Sequence, residues 1–382
     1  MILPDGVHTW IEVSRGALLH NLETLRRSAG GALVAPVVKA NAYGHGLELV
    51  AGVLAAAGVP RLCVNELEEV RRLRALGLTL PLCVLGPTLP SDSPRIADLG
   101  CEVVVSSWAQ LTALSAAGAT VGRPSGVHLK VETGTHRQGV PPSEIRELLA
   151  RLPGLPGVRL VGLTTHLADV EDETESSFAR VQLAAFDDVA AALPPGVLRH
   201  VAASAGELLI PEARYDMVRP GIALYGLWPS EKTRIASELL GERSATVAPI
   251  ELKPAMRWMT RVMQVRDAEK GAWVGYGRTS RLARATRLAL LPVGYYDGWD
   301  RGLSGQGVVA IRGRLAPVVG RVAMNMTVVD VTELPVAEGD PVLLLGPDHD
   351  ETTADRLAER LGTIHYEVTT RIEGRHPRVL VD

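Results

Sequence analysis

The stretch "RLCVNELEEVRRLRALG", residues 61–77, joins a short apolar segment to an amphipathic one. Its first five residues are apolar and partly β-branched, which is typical of a buried strand. In the remainder, apolar side chains recur at helical spacing, with glutamates and arginines on the opposite face. These apolar residues are Leu67, Val70, Leu73 and Leu76. The stretch therefore predicts a β-strand followed directly by a helix that packs against it.

The same strand-like pattern recurs along the first 226 residues. The segments are 35–40, 61–65, 81–86, 102–106, 127–132, 160–166, 199–204 and 217–226. Segments with helical spacing lie between most of them. Alternating strands and amphipathic helices predict parallel strands, and eight such units match an α/β fold of the (βα)8 TIM-like barrel type.

The pattern changes after about residue 245, where short alternating runs are separated by turns. These runs are 256–265, 287–294, 307–320, 326–332 and 340–346. They predict a mainly β second domain. We expect a barrel over 1–240 and a β domain over 241–382, with the polar stretch 229–246 as their connection. An early run, "HTWIEVS" (8–14), suits either domain, so the assignment of residues 1–13 stays open.

Composition excludes several classes of protein. The chain has 382 residues, 46% hydrophobic and 22% charged, which suits a globular protein of two domains. Its 40 Lys and Arg against 43 Asp and Glu give a net charge of -3 without a basic block, so nucleic acid and membrane surfaces are not expected partners. The longest apolar run, 49–59, is too short to cross a bilayer.

The cysteines and the first residues point to the cytoplasm. Cys63, Cys83 and Cys101 are odd in number, lie in apolar runs and have no metal-ligand spacing, so we expect reduced core residues and no metal. The first ten residues lack the basic and apolar regions of a signal peptide. A cytoplasmic location is therefore predicted.

Five polar side chains lie at or near the carboxyl ends of the predicted barrel strands: Lys39, His166 and Ser204 end their strands, Arg137 follows one, and Arg219 lies within the last. In a barrel of this kind the carboxyl ends of the strands carry the chemistry, so we expect these groups to converge. A lysine among apolar neighbours and cations has a lowered pKa, which makes it a nucleophile toward carbonyls and a proton carrier. The alternative is a lysine that extends from a strand end into solvent.

Seven segments, in this order, resemble signature segments of the alanine racemase family. They are "VVKANAYGHG" (37–46), "HLKVETGTHRQG" (128–139), "VRPGIALYG" (218–226), "VGYGRTS" (274–280), "VGYYDGW" (293–299), "GRVAMNM" (320–326) and "TIHYEV" (363–368). The resemblance covers nearly the whole chain. It implies a barrel that binds pyridoxal 5'-phosphate (PLP), a β domain after it, and an isomerase that interconverts L- and D-alanine and supplies D-alanine for peptidoglycan.

This resemblance implies that Lys39 binds PLP covalently and that Tyr276 faces it across the cofactor. Racemisation needs a base on one face of the α-carbon and an acid on the other. Because the ordinary pKa of tyrosine is about 10, cationic neighbours must stabilise its phenolate. Gly275 and Gly277 would let the backbone approach the cofactor closely. The structural alternative for "GYG" is a turn with an aromatic plug.

The resemblance also implies the contacts of the cofactor. Arg219 would hydrogen-bond the pyridine nitrogen; since guanidinium cannot accept a proton, it would keep that nitrogen unprotonated and weaken the ring as an electron sink. A salt bridge at the barrel rim is the alternative. His166 would pack beside the ring and His200 would support Arg219. The phosphate contacts would be Tyr43, Ser204, Tyr366 and the backbone of Gly221 and Ile222.

Substrate contacts follow from the same resemblance. Arg137 would bind the PLP phenolic oxygen and the substrate carboxylate, Met324 of a partner subunit would donate its backbone N–H, and Tyr295 would narrow the entrance. Lys130 alternates with two apolar residues, so it should point into the barrel, where an unpaired ammonium is costly. The resemblance implies carbamylation, giving an anion that orients Arg137. Pairing with Glu132 or another carboxylate is the alternative.

Three positions depart from the family pattern: Asn325 replaces Asp, Ala323 replaces Cys or Ser, and Ala203 replaces Asn. These changes leave substrate breadth open, so a racemase acting on serine or other amino acids is an alternative.

A head-to-tail homodimer with shared active sites is expected. A PLP decarboxylase is disfavoured because its glycine-triplet loop and cysteine-containing aspartate motif are missing. A non-catalytic PLP carrier would be a single barrel.

Overall fold

The computed structural model describes residues 6–171, 177–243 and 249–382. The chain divides into two compact units. The barrel unit comprises Ala17–Ala42 and Val50–Lys253. The β unit comprises the residues up to Gly16, Tyr43–Leu49 and Pro254–Asp382, and its first strand is β1 (Trp10–Ser14).

Eight parallel strands form the barrel unit within the described residues. They are β2 (Leu33–Val34), β3 (Leu62–Val64), β4 (Leu82–Val84), β5 (Glu102–Val105), β6 (Ser125–Lys130), β7 (Val158–Thr164), β8 (Leu198–His200) and β9 (Met217–Val218). Strands β3 to β8 pair in sequence order, β2 pairs with β9, and a bridge from Val37 to Cys63 joins β2 to β3. The Arg219 N–H donates to Ala202 O at 2.9 Å and continues the ring between β8 and β9. The predicted (βα)8 barrel is confirmed.

Helices follow most of these strands. In chain order they are α1 (Arg15–Ser28), α2 (Leu47–Ala56), α3 (Leu67–Ala75), α4 (Ser93–Leu99), α5 (Trp108–Thr120), α6 (Pro142–Arg151), α7 (Ser177–Ala190), α8 (Ser204–Leu209) and α9 (Glu231–Arg243). Helix α3 buries Leu67, Val70 and Leu73, as their spacing predicts. Leu76 lies beyond the helix end and is 51% exposed, so its predicted place on the buried face is wrong.

A turn of left-handed helix follows Val38. Ala40, Asn41, Ala42 and Tyr43 have φ values of 53° to 55°, a region that costs roughly 1–2 kcal/mol for each residue with a side chain. In place of the strand predicted over 35–40, the structure has the two-residue strand β2, which ends at Val34, and an isolated bridge at Val37. Lys39 begins the turn instead of ending a strand. The Ala42 N–H still donates to Val38 O at 2.9 Å, which closes the turn.

Most of the segment that was predicted to be mainly β lies in the β unit. Its remaining strands are β10 (Met256–Arg261), β11 (Gln264–Ala268), β12 (Trp273–Val274), β13 (Ser280–Arg281), β14 (Thr286–Leu291), β15 (Val308–Ile311), β16 (Arg314–Pro317), β17 (Thr327–Asp330), β18 (Pro341–Leu345) and β19 (Arg378–Val381). They form a sheet of order β16-β15-β18-β10-β1-β19 and smaller sheets β11-β14-β17 and β12-β13. Strand β1 pairs with β10 and β19. Helices α10 (Ala354–Leu361) and α11 (His365–Thr370) complete the unit.

Two smaller expectations concern the connection and the cysteines. Helix α9 occupies most of the predicted connection 229–246, and residues 244–246 lie outside the described residues. The three cysteines are buried and form no disulfide, as expected for core residues. Every helix in the described ranges is too short or too polar to cross a membrane.

Candidate active site

Cationic side chains gather at the carboxyl ends of the barrel strands. We call this set the mouth cluster, and it consists of Lys39, Lys130, Arg137 and Arg219, with His166 beside them. Their proximity is evident in their mutual influence: after burial, Arg219, Arg137, Lys130 and Lys39 all act to lower the pKa of His166, to about 3. This imidazole is neutral at neutral pH. Of the five residues predicted to converge, Lys39, Arg137, His166 and Arg219 are thus near enough to influence one another.

Lys39 is partly buried at the start of the left-handed turn. Its amine makes no hydrogen bond or ion pair with any other described residue. Burial, and then the Arg137 guanidinium, lower its pKa below the ordinary value for lysine, against a smaller opposite effect of Glu69. A lowered pKa leaves part of the amine neutral, and a neutral amine can attack a carbonyl carbon or accept a proton.

Lys130 ends strand β6 and is 7% exposed. Burial and the cations Arg137 and Arg219 lower its pKa to about 8. The alternative pairing with Glu132 is not seen: that carboxylate accepts from the Gly134 N–H at 2.5 Å and from Thr135 Oγ1 at 3.2 Å. Within the described residues, no carboxylate lies at ion-pair distance from the Lys130 amine.

Arg219 directly follows strand β9 and is buried. Its Nη2 donates to the carbonyls of Thr165 at 3.1 Å and Val201 at 3.0 Å, and its Nη1 lies 2.5 Å from His200 Nδ1. The Nε hydrogen and one Nη1 hydrogen have no acceptor among the described residues. Two directional donors therefore remain for another molecule, and no carboxylate supports the alternative of a rim salt bridge.

A second group of donors lies at the start of helix α8. Ser204 Oγ accepts the N–H of Gly221 at 2.9 Å and of Ala223 at 3.3 Å, so its hydroxyl hydrogen is left to donate. The N–H of Ile222 begins a short 3-10 helix and has no acceptor within the described ranges. Ala203 occupies the N-cap position, where its methyl group cannot cap the helix as the family's Asn could.

Tyr276 lies in the β unit, in a short 3-10 segment between two glycines of positive φ. Its side chain is 71% exposed. Gly275 has a φ of 76° and Gly277 a φ of 75°, so both glycines are required by the backbone. The phenol is therefore not the aromatic plug of the structural alternative, because it stands out from the surface of its own unit.

Tyr295 and Met324 are held together in the β unit by their backbones. The N–H of Tyr295 donates to Ala323 O at 3.1 Å, and that of Tyr296 to Met324 O at 2.9 Å. At Gly294 a Cβ would lie 2.2 Å from Ala323 O, so only glycine permits this contact. The Met324 N–H has no acceptor among the described residues, and Asn325 next to it is exposed.

Tyr43 and Tyr366, also in the β unit, have ring centroids 6.2 Å apart. Both were predicted to contact one phosphate. A Cβ at Gly44 would lie 2.1 Å from Thr369 O, so this glycine lets the segment after Tyr43 approach helix α11. The two tyrosines are therefore brought together by local packing.

Sequence reasoning missed residues that support the site. Glu69 accepts the N–H of Ala40 at 2.7 Å and of Asn65 at 2.7 Å, and so anchors the strained turn after Lys39. Its position at the start of α3, three residues after Glu66, was an available capping signal. His128 was also missed, although it shares the alternation that aims Lys130 into the barrel.

Two family models together match most of the chain. The model described as "Alanine racemase, N-terminal domain" matches residues 13–229, and "Alanine racemase, C-terminal domain" matches residues 255–380. Among curated relatives, the alanine racemase of Symbiobacterium thermophilum is 40% identical, covering 98% of this chain and 97% of the relative. That of Leptospira interrogans serovar Lai is 36% identical, covering 100% and 97%.

Solved structures give the same result. The alanine racemase from Bacillus anthracis with bound L-Ala-P has a TM-score of 0.89 at 32% identity, covering 100% of this chain and 96% of that chain. The alanine racemase from Bartonella henselae with covalently bound pyridoxal phosphate has a TM-score of 0.84 at 28% identity, covering 98% and 99%.

PLP is the cofactor of this family, and the donor set of the barrel unit fits it. The cofactor carries a phosphate, a phenolic oxygen, a ring nitrogen and an aldehyde. The barrel unit offers free hydroxyl and N–H donors at Ser204 and Ile222, unpaired cations, two orphaned donors on Arg219 and one partly neutral amine. The fold, the family models and the relatives agree, and the chain belongs to the alanine racemase family of PLP-dependent isomerases.

Proposed function

We propose that this protein interconverts L- and D-alanine with PLP, using Lys39 and Tyr276 as its two proton-handling residues. The observation that carries the proposal is the mouth cluster, where a lysine of lowered pKa lies among cations that no described carboxylate neutralises. Burying unpaired cations is costly, so such a site favours an anionic ligand with several acceptor groups.

Lys39 supplies the covalent link to PLP and the proton transfer on one face of the substrate. When bound, PLP withdraws electrons from the α-carbon of the amino acid and acidifies its proton. On this face the Lys39 amine would remove or return the α-proton, because burial and the Arg137 guanidinium lower its pKa below the ordinary value for lysine.

Tyr276 serves the opposite face. Its phenol removes or returns the same proton from the other side, which makes the exchange a transfer between two bases. Its exposure of 71% on its own chain supports a role against a neighbouring surface. General acid–base groups of this kind contribute factors of about 100 to about 10,000 to a rate.

The remaining residues would hold the other groups of the cofactor. Arg219 faces the ring nitrogen as a donor that cannot take up a proton. Ser204, Tyr43, Tyr366 and the backbone of Gly221 and Ile222 would hold the phosphate, and His166 would lie beside the ring. For Gly221 this requires its N–H to be shared with Ser204 Oγ, which it already contacts at 2.9 Å.

Arg137 binds the substrate carboxylate and the phenolic oxygen of the cofactor, because its guanidinium is exposed and has no partner among the described residues. Lys130 is carbamylated in this proposal. Its pKa of about 8 leaves a neutral fraction that can react with carbon dioxide, and the resulting anion would neutralise its cationic surroundings and orient Arg137.

The active enzyme is a homodimer whose sites are shared between chains. Seven large apolar side chains among the described residues of the β unit are at least 43% exposed, and all but Ile364 lie in three segments: Trp273, Tyr276, Tyr295, Tyr296, Met324 and Met326. Exposure of this kind is typical of a surface covered by a partner. In this arrangement the Met324 N–H and Tyr295 reach the substrate of the partner chain.

A complementation experiment tests this shared site. Lys39→Ala and Tyr276→Ala chains are each inactive alone, but a mixed dimer has one intact site. Unfolding and refolding an equal mixture should restore about a quarter of wild-type activity, because about half the dimers are mixed and each has one intact site of two. No recovery in dimers shown by mass to be mixed would refute shared sites.

Substrate breadth and biological role complete the proposal. Ala203, Ala323 and Asn325 are smaller or less charged than the family residues, so slow racemisation of L-serine is expected beside alanine. The biological role is supply of D-alanine for peptidoglycan in the cytoplasm.

Incubation in deuterium oxide tests the reaction itself. L-Alanine, L-serine and L-arginine are incubated separately with the PLP-loaded protein, and α-deuteration and chirality are read by mass spectrometry after chiral separation. The proposal predicts deuterated D-alanine. Release of carbon dioxide would indicate a decarboxylase instead, and unchanged amino acids would indicate a carrier.

A further inference from the structure

A chain of buried polar side chains runs from Arg219 to Glu102 at the amino end of strand β5. Arg219 Nη1 lies 2.5 Å from His200 Nδ1, His200 Nε2 lies 2.8 Å from His128 Nδ1, and His128 Nε2 lies 3.1 Å from Glu102 Oε2. Both imidazoles are fully buried, and Arg219 and Glu102 are less than a tenth exposed. We call these four residues the relay.

The two ends of the relay determine where its protons lie. Guanidinium can only donate, so His200 Nδ1 must accept and its proton must be on Nε2. That Nε2–H donates to His128 Nδ1, which leaves the His128 proton on Nε2, facing the ionised Glu102 carboxylate. Only this assignment satisfies all three contacts. A second proton on either ring would place two donors face to face.

The charges around the relay fit neutral imidazoles between a fixed cation and a fixed anion. Arg61 Nη2 donates to Glu102 Oε1 at 3.1 Å, and Arg61 Nε lies 2.9 Å from Oε2. Burial acts to raise the pKa of Glu102, but the hydrogen bond from His128 and the Arg61 charge lower it below its ordinary value. Burial lowers the pKa of His128 and, with Arg219, that of His200.

Two glycines leave the space that the relay occupies. A Cβ at Gly162 in strand β7 would lie 2.4 Å from His128 Nδ1 and 3.0 Å from His200 Nε2. A Cβ at Gly126 in strand β6 would lie 2.8 Å from Glu102 Cγ. Neither glycine has a positive φ, so the backbone does not require glycine at these positions. The side chains of the relay require it, and at Gly162 so does the Leu198 carbonyl oxygen, which would lie 2.9 Å from a Cβ.

We propose that Glu102 and His128 are positioning residues of the racemase, which hold His200 as an acceptor and thereby fix the orientation of the Arg219 guanidinium. The inference rests on the proposed function, in which Arg219 faces the ring nitrogen of PLP. With Nη1 fixed by His200 and Nη2 by two carbonyls, the remaining donors of Arg219 keep one direction. Without the relay, the guanidinium turns and protonation of that nitrogen becomes easier.

The test compares variants in two readouts, racemisation and the side reaction of transamination, which turns alanine into pyruvate and PLP into its amine. His128→Phe keeps a ring of similar size but removes both nitrogens, and should lower the ratio of racemisation to pyruvate formation at least about tenfold. Glu102→Gln should shift the ratio less, in the same direction. The double variant should equal His128→Phe alone, because Glu102 acts only through His128.

Arg159→Gln is the matched control. Arg159 also approaches Glu102, with Nη2 at 3.8 Å from Oε1, but it is exposed and outside the relay, so its loss should leave the ratio unchanged. An unchanged ratio in folded, PLP-loaded His128→Phe protein would overturn the proposal, as would additive effects in the double variant.

A measurement on the wild-type protein does not depend on variants or on activity. Side-chain ¹⁵N NMR of histidine-labelled protein should show two neutral, Nε2-protonated imidazoles that do not titrate between about pH 5.5 and about pH 8.5. An Nδ1–H form or a titrating ring in the relay would overturn the inference. If the wild-type protein fails to racemise alanine, the proposed function fails, and this spectrum still decides the relay.

Discussion

Cations at the two ends of the barrel strands differ in whether a carboxylate pairs with them. At the amino ends, Arg61 pairs with Glu102, and Arg199 holds Asp216 in a two-pronged contact of 2.9 Å and 3.1 Å. At the carboxyl ends, the mouth cluster has no carboxylate at ion-pair distance among the described residues. Burial and the neighbouring cations lower the pKa values of its two lysines.

This difference separates charges that hold the fold from charges held for a ligand. An exposed pair such as Arg199–Asp216 contributes at most modestly to stability, whereas the buried Arg61–Glu102 pair lies at the end of the relay. An unpaired buried cation is a cost to the folded protein, and it persists where a bound anion offsets that cost. In the proposed function, the mouth cluster therefore stabilises bound PLP at the expense of the protein without PLP.

The largest effect is expected at Lys39. Lys39→Ala should abolish the covalent link to PLP and reduce racemisation by roughly a thousandfold or more, because the base of one face is lost as well. Loss of the characteristic cofactor absorbance and of D-alanine formation measures both effects. The control is Lys253→Ala, which removes a half-exposed amine near Glu251. An active Lys39→Ala protein would be incompatible with the proposed role.

The next effect is expected at Tyr276. Tyr276→Phe keeps PLP bound but should lower racemisation by about 100-fold to about 10,000-fold, because only one face retains a base. In deuterium oxide, one enantiomer of alanine should still exchange its α-proton while the other does not. Tyr215→Phe, which removes a hydroxyl bonded to Asp187 at 2.8 Å, is the control. Equal exchange of both enantiomers would refute the assignment.

Lys130 gives an effect of intermediate size that depends on pH. Its folded-state pKa of about 8 lies below the ordinary value, so its charge destabilises the folded protein fully below about pH 8. In PLP-free, bicarbonate-free buffer, Lys130→Met should therefore raise Tm by a few degrees at neutral pH. The gain should shrink as the pH rises from about 8 toward the ordinary lysine pKa of about 10.4.

Calorimetric scans across this pH range, with racemisation assays of both proteins, check the prediction. Lys130→Met should lower activity even where it raises Tm. A lower Tm for the variant at neutral pH would indicate that Lys130 has an ionic partner after all, as the alternative pairing with a carboxylate supposed.

The smallest effect is expected at the amino ends of the strands. Arg199→Gln breaks the pair with Asp216, whose side chains are 43% and 33% exposed, and should cost less than about 1 kcal/mol. Urea unfolding measures the free energy, and kcat/KM should not change. A loss of activity comparable to that of a mouth residue would remove the distinction between the two ends.

Sequence patterns predicted the barrel well because its strands are buried on both faces and its helices on one. The alternation of such segments leaves few folds to choose from. The left-handed turn after Val38 was not predicted, because "KANAY" contains no glycine, the residue that most often adopts this conformation. The turn is held by Glu69, about 30 residues later in the chain, so the residues of the turn do not themselves indicate it. Tertiary contacts override local propensity at such positions.

The position of Arg219 was predictable because it directly follows a strand, whereas Lys39 begins the left-handed turn instead of ending its predicted strand. The roles of Glu102 and His128 were not predictable, because they depend on contacts across several strands of the barrel. Alternation alone would have turned His128 inward with Lys130, but only the coordinates show that its partner is His200.

Reduction of the PLP-loaded protein with borohydride, followed by peptide mass spectrometry, tests the central claim most directly. We propose that the mouth cluster binds PLP through the amine of Lys39, which has a lowered pKa and lies at the start of the left-handed turn. The account predicts a pyridoxyl phosphate group on the peptide that contains Lys39, and on no other. The modification on Lys130 or another lysine, or none in a protein that carries PLP, would contradict it.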